Sequence, residues 1–270
     1  MRPTARLTSF HGAKYANAST GGGTAYELKP GANGRWSETV LHDFTNGEDA
    51  AEPNCGLIAD ASGNLYGASE LGGSSGGNCG SFGCGAVFEL SRGGKGKWTA
   101  TVLYAFTEAA DGLSPYGGLV ADAAGNLYGT TVYGGANGGG VVFELSPGTA
   151  GWTESVLYSF CAQANCVDGI YPFDGPVLDA AGNLYNTTDS GGVNADCMFG
   201  STCGTVFELS PGGGQWTEKV LHSKVEIVEG PGFLEPPVQD AAGAPHRSLR
   251  LCYRILTQSS RRDSFPLQRD

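Results

Sequence analysis

From Gly118 to Phe160 the chain reads GLVADAAGNLYGTTVYGGANGGGVVFELSPGTAGWTESVLYSF. Gly118 to Ala121 is a short apolar run closed by Asp122-Ala-Ala-Gly125, a turn in which the Asp side chain can accept from its own downstream amides and Gly supplies a positive φ. Asn126 to Tyr133 is rich in Thr, Tyr and Val and ends in Gly134-Gly135. Gly140 to Leu145 (GVVFEL) is a third run, closed by Ser146-Pro147-Gly148, and Trp152 to Phe160 (WTESVLYSF) is a fourth. All four are short, β-branched or aromatic, and bounded by turn residues; none has a 3.6-residue apolar period. The stretch predicts four antiparallel strands.

The same phrases return along the chain. Trp36, Trp98, Trp152 and Trp216 are each followed four residues later by Val-Leu. Upstream of each Trp stands Tyr26-Glu27-Leu28, Phe88-Glu89-Leu90, Phe143-Glu144-Leu145 or Phe207-Glu208-Leu209, and Gly-Asn-Leu-Tyr starts at Gly63, Gly125 and Gly182. A tandem repeat with four short strands per unit is the plan of a β-propeller blade. In Val156-Leu157-Tyr158 both strand faces are apolar, as a sheet packed between two neighbouring sheets requires. The expected fold is therefore all-β and propeller-like, with about four blades of four antiparallel strands.

Residues 1–20 read as an irregular start and 21–243 as the repeats. Within these, 21–55 is a partial blade, 56–117, 118–174 and 175–232 are full blades, and 233–243 begins the next. Asp240-Ala241-Ala242-Gly243 matches Asp179 to Gly182, but Ala-Pro-His-Arg then replaces Asn-Leu-Tyr-Gly. Residues 244–270 form a divergent basic tail that fits an out-of-frame reading of the same repeat. A closed ring of four blades would need residues 244–256 to supply the missing second strand.

The net charge is −11. Residues 245–270 carry six Arg against Asp263 and Asp270, so the body is more acidic still. That balance argues against a nucleic-acid partner. No apolar run is long enough to span a membrane, and no secretory signal is visible. Gly (45) and Pro (13) make up about a fifth of the chain, at fixed places in the repeat, which points to turns.

Repetition also sorts the candidate chemistry. Glu27, Glu89, Glu144 and Glu208 recur in every unit and read as strand residues, and Asp60, Asp122, Asp179 and Asp240 as hairpin caps. Asp60-Ala-Ser62-Gly-Asn64 resembles an oxygen-ligand loop for calcium, but such a loop also needs a distal bidentate Glu, and Ala123 and Ala124 replace the middle ligand position in the next blade, so turn chemistry is the expected reading. His42 and His222 stand where other copies have Tyr104 and Tyr158, an aromatic slot, and neither they nor His11 and His246 have zinc spacing. No nucleophile elbow or phosphate loop is present. No cofactor is expected, and no catalytic or metal-binding residue is assigned.

The cysteines break the symmetry. Leu65 to Phe88 and Leu184 to Phe207 span 23 residues, against 16 from Leu127 to Phe143. The two insertions hold Cys79/Cys84 and Cys197/Cys203, and a third pair, Cys161/Cys166, sits in the loop after a fourth strand. Cysteines arriving in pairs with loop insertions read as disulfide staples and hence an oxidising compartment. Cys55 and Cys252 have no obvious partners.

DAAGNLYGTTVYGG (122–135), GGGVVFELSPG (138–148) and GWTESVLYSF (151–160) closely resemble the GloVer tandem-repeat family of bacterial proteins, over roughly residues 15–243. The resemblance implies a propeller-like, extracytoplasmic protein whose units recur many times, often with a separate C-terminal surface anchor. It brings no catalytic residues. Neither an anchor nor a signal is seen here, and the last 27 residues depart from the pattern, so a fragment of a larger array is expected.

The function expected is a non-catalytic repeat scaffold of a secreted or cell-surface protein, binding an unidentified polymer or protein through its blade loops. The alternative is a propeller hydrolase or lyase acting on a polysaccharide or lactone, with a metal in the central channel. That would need one blade-specific cluster, for which Asp189, placed against Tyr133 and Leu71 of the other blades, is a candidate.

Overall fold

The computed structural model describes residues 22–31, 35–45, 49–73, 77–107, 110–193, 204–225, 238–239 and 245–246. The chain is all-β. A two-stranded half-blade, β1 (Thr24–Pro30) and β2 (Trp36–Asp43), comes first. Three four-stranded antiparallel sheets follow. Blade 1 is β3 (Ile58–Ala59), β4 (Leu65–Ser69), β5 (Ala86–Arg92) and β6 (Trp98–Ala105). Blade 2 is β7 (Val120–Ala121), β8 (Leu127–Thr131), β9 (Val141–Gly148) and β10 (Gly151–Ser159). Blade 3 is β11 (Val177–Leu178), β12 (Leu184–Thr187), β13 (Gly204–Gly212) and β14 (Gln215–Val225). A last pair, β15 (Val238–Gln239) and β16 (Pro245–His246), completes the described strands.

Each sheet is a meander in chain order, and the sheets stack in sequence: β6 packs against β2 and β10, and β10 against β14. This is the propeller-like array that the repeats predict. Val238 pairs with His246 and Gln239 with Pro245, the register in which Ile58 pairs with Tyr66 and Ala59 with Leu65. The first hairpin of a further unit thus extends past Gly243 into the basic segment.

Two local readings change. The third strand of blade 2 does not stop at Leu145 but runs on through Ser146-Pro147-Gly148, Pro147 lying opposite Trp152. Its neighbour β8 pairs only as far as Leu145, so beyond that point β9 has a partner on one side alone, where a proline costs no ladder hydrogen bond. The recurring Val-Leu is also more than an apolar pair. In blade 2 Val156 lies opposite Phe143 and Tyr158 opposite Val142, leaving Leu157 as an extra residue. The same shift passes Leu41, Leu103 and Leu221. Each copy is a β-bulge, which sharpens the twist of the long fourth strand.

The core lies between the blades. Phe44 meets Phe88, Phe106 meets Phe143 and Phe160 meets Phe207 at ring separations of 4.9, 5.1 and 4.9 Å. All six rings are buried. Each such pair adds about 1 kcal/mol to what area burial supplies. His42, Tyr104 and Tyr158 pack edge-on against the first Phe of each pair, so His42 does occupy an aromatic slot. His222 is exposed. Trp152 leans on Tyr66 and Trp216 on Tyr128 of the preceding blade.

A backbone stitch sets the blade spacing. Glu52, Ser114 and Tyr171 hold φ of 53°, 56° and 62°. Their N–H groups donate back to the carbonyls of Gly22, Cys84 and Gly139 in the preceding unit, at 2.8 to 2.9 Å. Their own carbonyls accept from Glu70, Val132 and Asp189 of the following blade. Such left-handed non-glycine residues cost on the order of 1 kcal/mol each and persist because the surrounding bonds over-determine them.

Candidate functional site

Residues repeated in every blade do the work of the blade. Asp122 Oδ1 accepts from the N–H groups of Ala124 and Asn126, and Oδ2 from Asn126 Nδ2 and the Tyr128 hydroxyl. Asp60 and Asp179 make the same set. Partial burial works to raise the carboxyl pKa of Asp122, but these donors outweigh it and hold it below the usual carboxylate range. They are turn caps, as the sequence predicts. Burial first, then the charges of Glu144 and Asp122, pushes the Tyr128 hydroxyl up to about 12. Glu144 and Glu208 accept from Ser146 and Ser210 two residues on, and Glu27 pairs with Lys29 at 2.7 Å. These glutamates are satisfied along their own strands.

A second aspartate series escaped the sequence analysis. Asp111 accepts from Tyr104 Oη, Thr107 N–H and Thr107 Oγ1; Asp168 accepts from Tyr158 Oη and the N–H groups of Ala162 and Gln163. Asp49 takes the same place, accepting from Thr45, with His42 Nε2 at 3.3 Å. The signal was present: an aromatic, a Phe two residues later, then Asp-Gly, in Tyr104-Ala-Phe106 before Asp111-Gly112 and Tyr158-Ser-Phe160 before Asp168-Gly169. Facing this series across two junctions are Glu154 and Glu218, on β10 and β14. Burial first, then the charge of Asp111, raises Glu154 to about 7, and burial with Asp168 does the same for Glu218. The Oε1 atoms of both are buried with no hydrogen-bond partner. At the junction of the half-blade with blade 1 the equivalent residue is Ala100.

The residues that differ from blade to blade gather at one end. That end is formed by the loops between second and third strands and by the linkers between blades. Cys79 and Cys84 lie in the first such loop at disulfide distance, Cα to Cα 5.2 Å, and Cys161 and Cys166 in a linker at 4.1 Å. The third expected pair, Cys197 and Cys203, lies outside the described residues, as does Cys252. Cys55 is buried at the entry to blade 1. Phe82, beside Cys84, is 60 % exposed. Four more rings cluster where blades 2 and 3 meet: Tyr133 against Tyr171 at 5.2 Å and Tyr116 against Phe173 at 5.7 Å, both edge-on.

The backbone stitch corrects the placing of Asp189. Its N–H meets the Tyr171 carbonyl as Val132 meets Ser114 and Glu70 meets Glu52, so Asp189 answers to Val132 and Glu70, not to Tyr133 and Leu71. Ser190 is the residue in register with Tyr133 and Leu71. Asp189 Oδ2 accepts from Ser190 Oγ at 3.0 Å, and Glu70 Oε2 from Asn54 Nδ2 at 2.9 Å. Among the described residues, no three or more His, Cys, Asp or Glu side chains are placed to share a metal ion.

At the opposite end Glu27, Lys29, Val40, Arg92, Lys97 and Trp98 line a groove of about 380 Å³. It is the counterpart of the places where Tyr66 and Tyr128 cover Trp152 and Trp216. No helix among the described residues is long and apolar enough to cross a membrane.

No curated protein and no solved structure matches the chain. The Gloeobacter/Verrucomicrobia repeat matches residues 3–192 and, in a second overlapping alignment, 74–243. The stacked four-stranded units with their recurring Asp caps, Phe pairs and Val-Leu bulges are therefore the folded form of that repeat, and the chain belongs to the Gloeobacter/Verrucomicrobia repeat family.

Proposed function

We propose that this chain is a non-catalytic scaffold of a secreted or cell-surface protein, which binds a polymer or a protein partner through its blade loops. The observation that carries this reading is the segregation of sequence variety. Positions that cap turns or pack blades recur in every unit, whereas Phe82, Tyr116, Tyr133 and the cysteine-bearing loops do not and lie at the loop-bearing end. Binding groups are commonly carried on loops that a rigid scaffold positions. Two short-range cysteine pairs at disulfide distance support an oxidising compartment.

The test is binding of the full chain to arrays of polysaccharides and of peptides, repeated with Phe82, Tyr116 and Tyr133 all changed to Ser. Binding that the triple variant loses is expected. Binding that survives it, and falls instead when Lys29, Arg92 and Lys97 at the opposite end become Gln, refutes the reading.

A further inference from the structure

We propose that Tyr116, Tyr133, Tyr171 and Phe173 form a platform for an uncharged polysaccharide. This rests on the loop-end binding reading above and names its ligand class. The four rings make two contacts across the junction of blades 2 and 3, at 5.2 and 5.7 Å, and Tyr171-Pro172-Phe173 joins the two pairs through one three-residue segment. The blade fold does not call for them. At the preceding junction the same four positions are Asn54, Leu71, Ser114 and Tyr116, and that junction packs through its Phe pair all the same. Tyr133 is 43 % exposed even with Tyr171 against it, so the pair is accessible from solvent.

The chemistry of the rim selects the ligand. Ring faces are electron-rich and attract the weakly positive C–H faces of pyranose rings, while phenol groups keep a polar tip for hydroxyls. Asp189, whose N–H meets the Tyr171 carbonyl, adjoins the rings with Ser190, and Glu70 with Asn54 holds the equivalent place one blade back, all able to take part in hydrogen bonds with sugar hydroxyls. Charge is divided between the two ends. Lys29, Arg35, Arg92 and Lys97 lie on or beside the turns of the opposite end. No Lys or Arg occurs between Ala110 and Val193, the stretch that carries all four rings. A uronate or phosphate polymer would bring its charge against Glu70 and Asp189 with nothing basic beside the rings to neutralise it. A neutral glycan meets no such penalty, and rigid tyrosines supply contact area at low entropic cost.

Affinity electrophoresis of the full chain in gels containing xyloglucan, hydroxyethylcellulose, mannan or laminarin tests this, with polygalacturonate as the charged control and a proline-rich peptide measured separately. Retardation by at least one neutral glycan is expected, with affinity lowered about tenfold or more in Tyr133→Ala and again in Tyr171→Ala, while Trp36→Ala, at the exposed opposite end, leaves it unchanged and the far-ultraviolet circular dichroism of all variants matches the wild type. Retardation by polygalacturonate alone, binding of the proline-rich peptide alone, or neutral-glycan binding indifferent to Tyr133 and Tyr171 would each overturn the platform. If no neutral glycan retards the chain while another ligand is bound and lost in the triple loop variant, the glycan proposal fails and the loop-end reading stands.

Discussion

Neutralising the two inter-blade glutamates should stabilise the protein above neutral pH, and the structure sets how much. Glu154 and Glu218 are each raised from 4.5 to about 7, by burial first and by Asp111 or Asp168 second. A carboxyl whose folded pKa lies above its unfolded value binds more protons in the native state. The stability it contributes is complete below about pH 4.5 and is lost as pH rises through about 7. Taken at about 1.4 kcal/mol per pKa unit, the ceiling is about 3.5 kcal/mol per junction. Both side chains are partly exposed, and solvent screening brings the figure to about 1 kcal/mol each. Urea unfolding at pH 5 and pH 8 should therefore differ by about 2 kcal/mol in the wild type, the acid side being more stable. Glu154→Gln/Glu218→Gln keeps the shape of the protonated acid and removes the charge. It should match the wild type at pH 5, exceed it by about 2 kcal/mol at pH 8, and flatten the slope between. A double variant no more stable than wild type at pH 8, or one that keeps the full slope, would refute the reasoning.

Three further outcomes are expected. Asp168→Ala removes a buried carboxylate that accepts from the N–H groups of Ala162 and Gln163 and from the Tyr158 hydroxyl, and should cost about 2–4 kcal/mol in urea unfolding; a loss under about 1 kcal/mol would show that water replaces the carboxylate freely. Gly140 and Gly125 have φ of 89° and 88°, but a Cβ on Gly140 would meet the Thr131 carbonyl oxygen at 2.3 Å whereas one on Gly125 meets open space. Gly125→Ala should thus cost about 1 kcal/mol and Gly140→Ala clearly more, and equal melting temperatures for the two would contradict the close approach. Mass spectrometry of unreduced protein made in an oxidising compartment should find Cys79–Cys84 and Cys161–Cys166 linked. Reduction should raise hydrogen exchange in those two loops only, because closing so short a loop contributes roughly 2–3 kcal/mol at most.

What the sequence alone determined is what a single unit can make within itself. The hairpin Asp reaches partners two to six residues away, the Gly-Asn-Leu-Tyr and Phe-Glu-Leu runs pair as neighbouring strands of one unit, and repetition states how many times this happens. Local contacts of that kind leave their spacing in the chain. The Val-Leu bulge was visible as a repeated pair but not as a bulge, because an extra residue is recognised only when the opposite strand is laid beside it. Asp189 was misplaced by one position: it stands seven residues after Gly182, as Glu70 does after Gly63 and Val132 after Gly125, and its bond to the Tyr171 carbonyl holds it in that register.

Only the tertiary structure decided what lies between units. Glu154 faces Asp111, Tyr133 meets Tyr171 and Thr130 Oγ1 donates to the Asp174 carbonyl because neighbouring sheets stack at one fixed offset, set by the left-handed residues Glu52, Ser114 and Tyr171. Nothing in the spacing of Tyr133 and Tyr171 along the chain announces that their rings touch. Contacts between repeats depend on how the sheets are stacked, and a repeat pattern is silent about stacking because each unit reads the same whichever way its neighbour is turned.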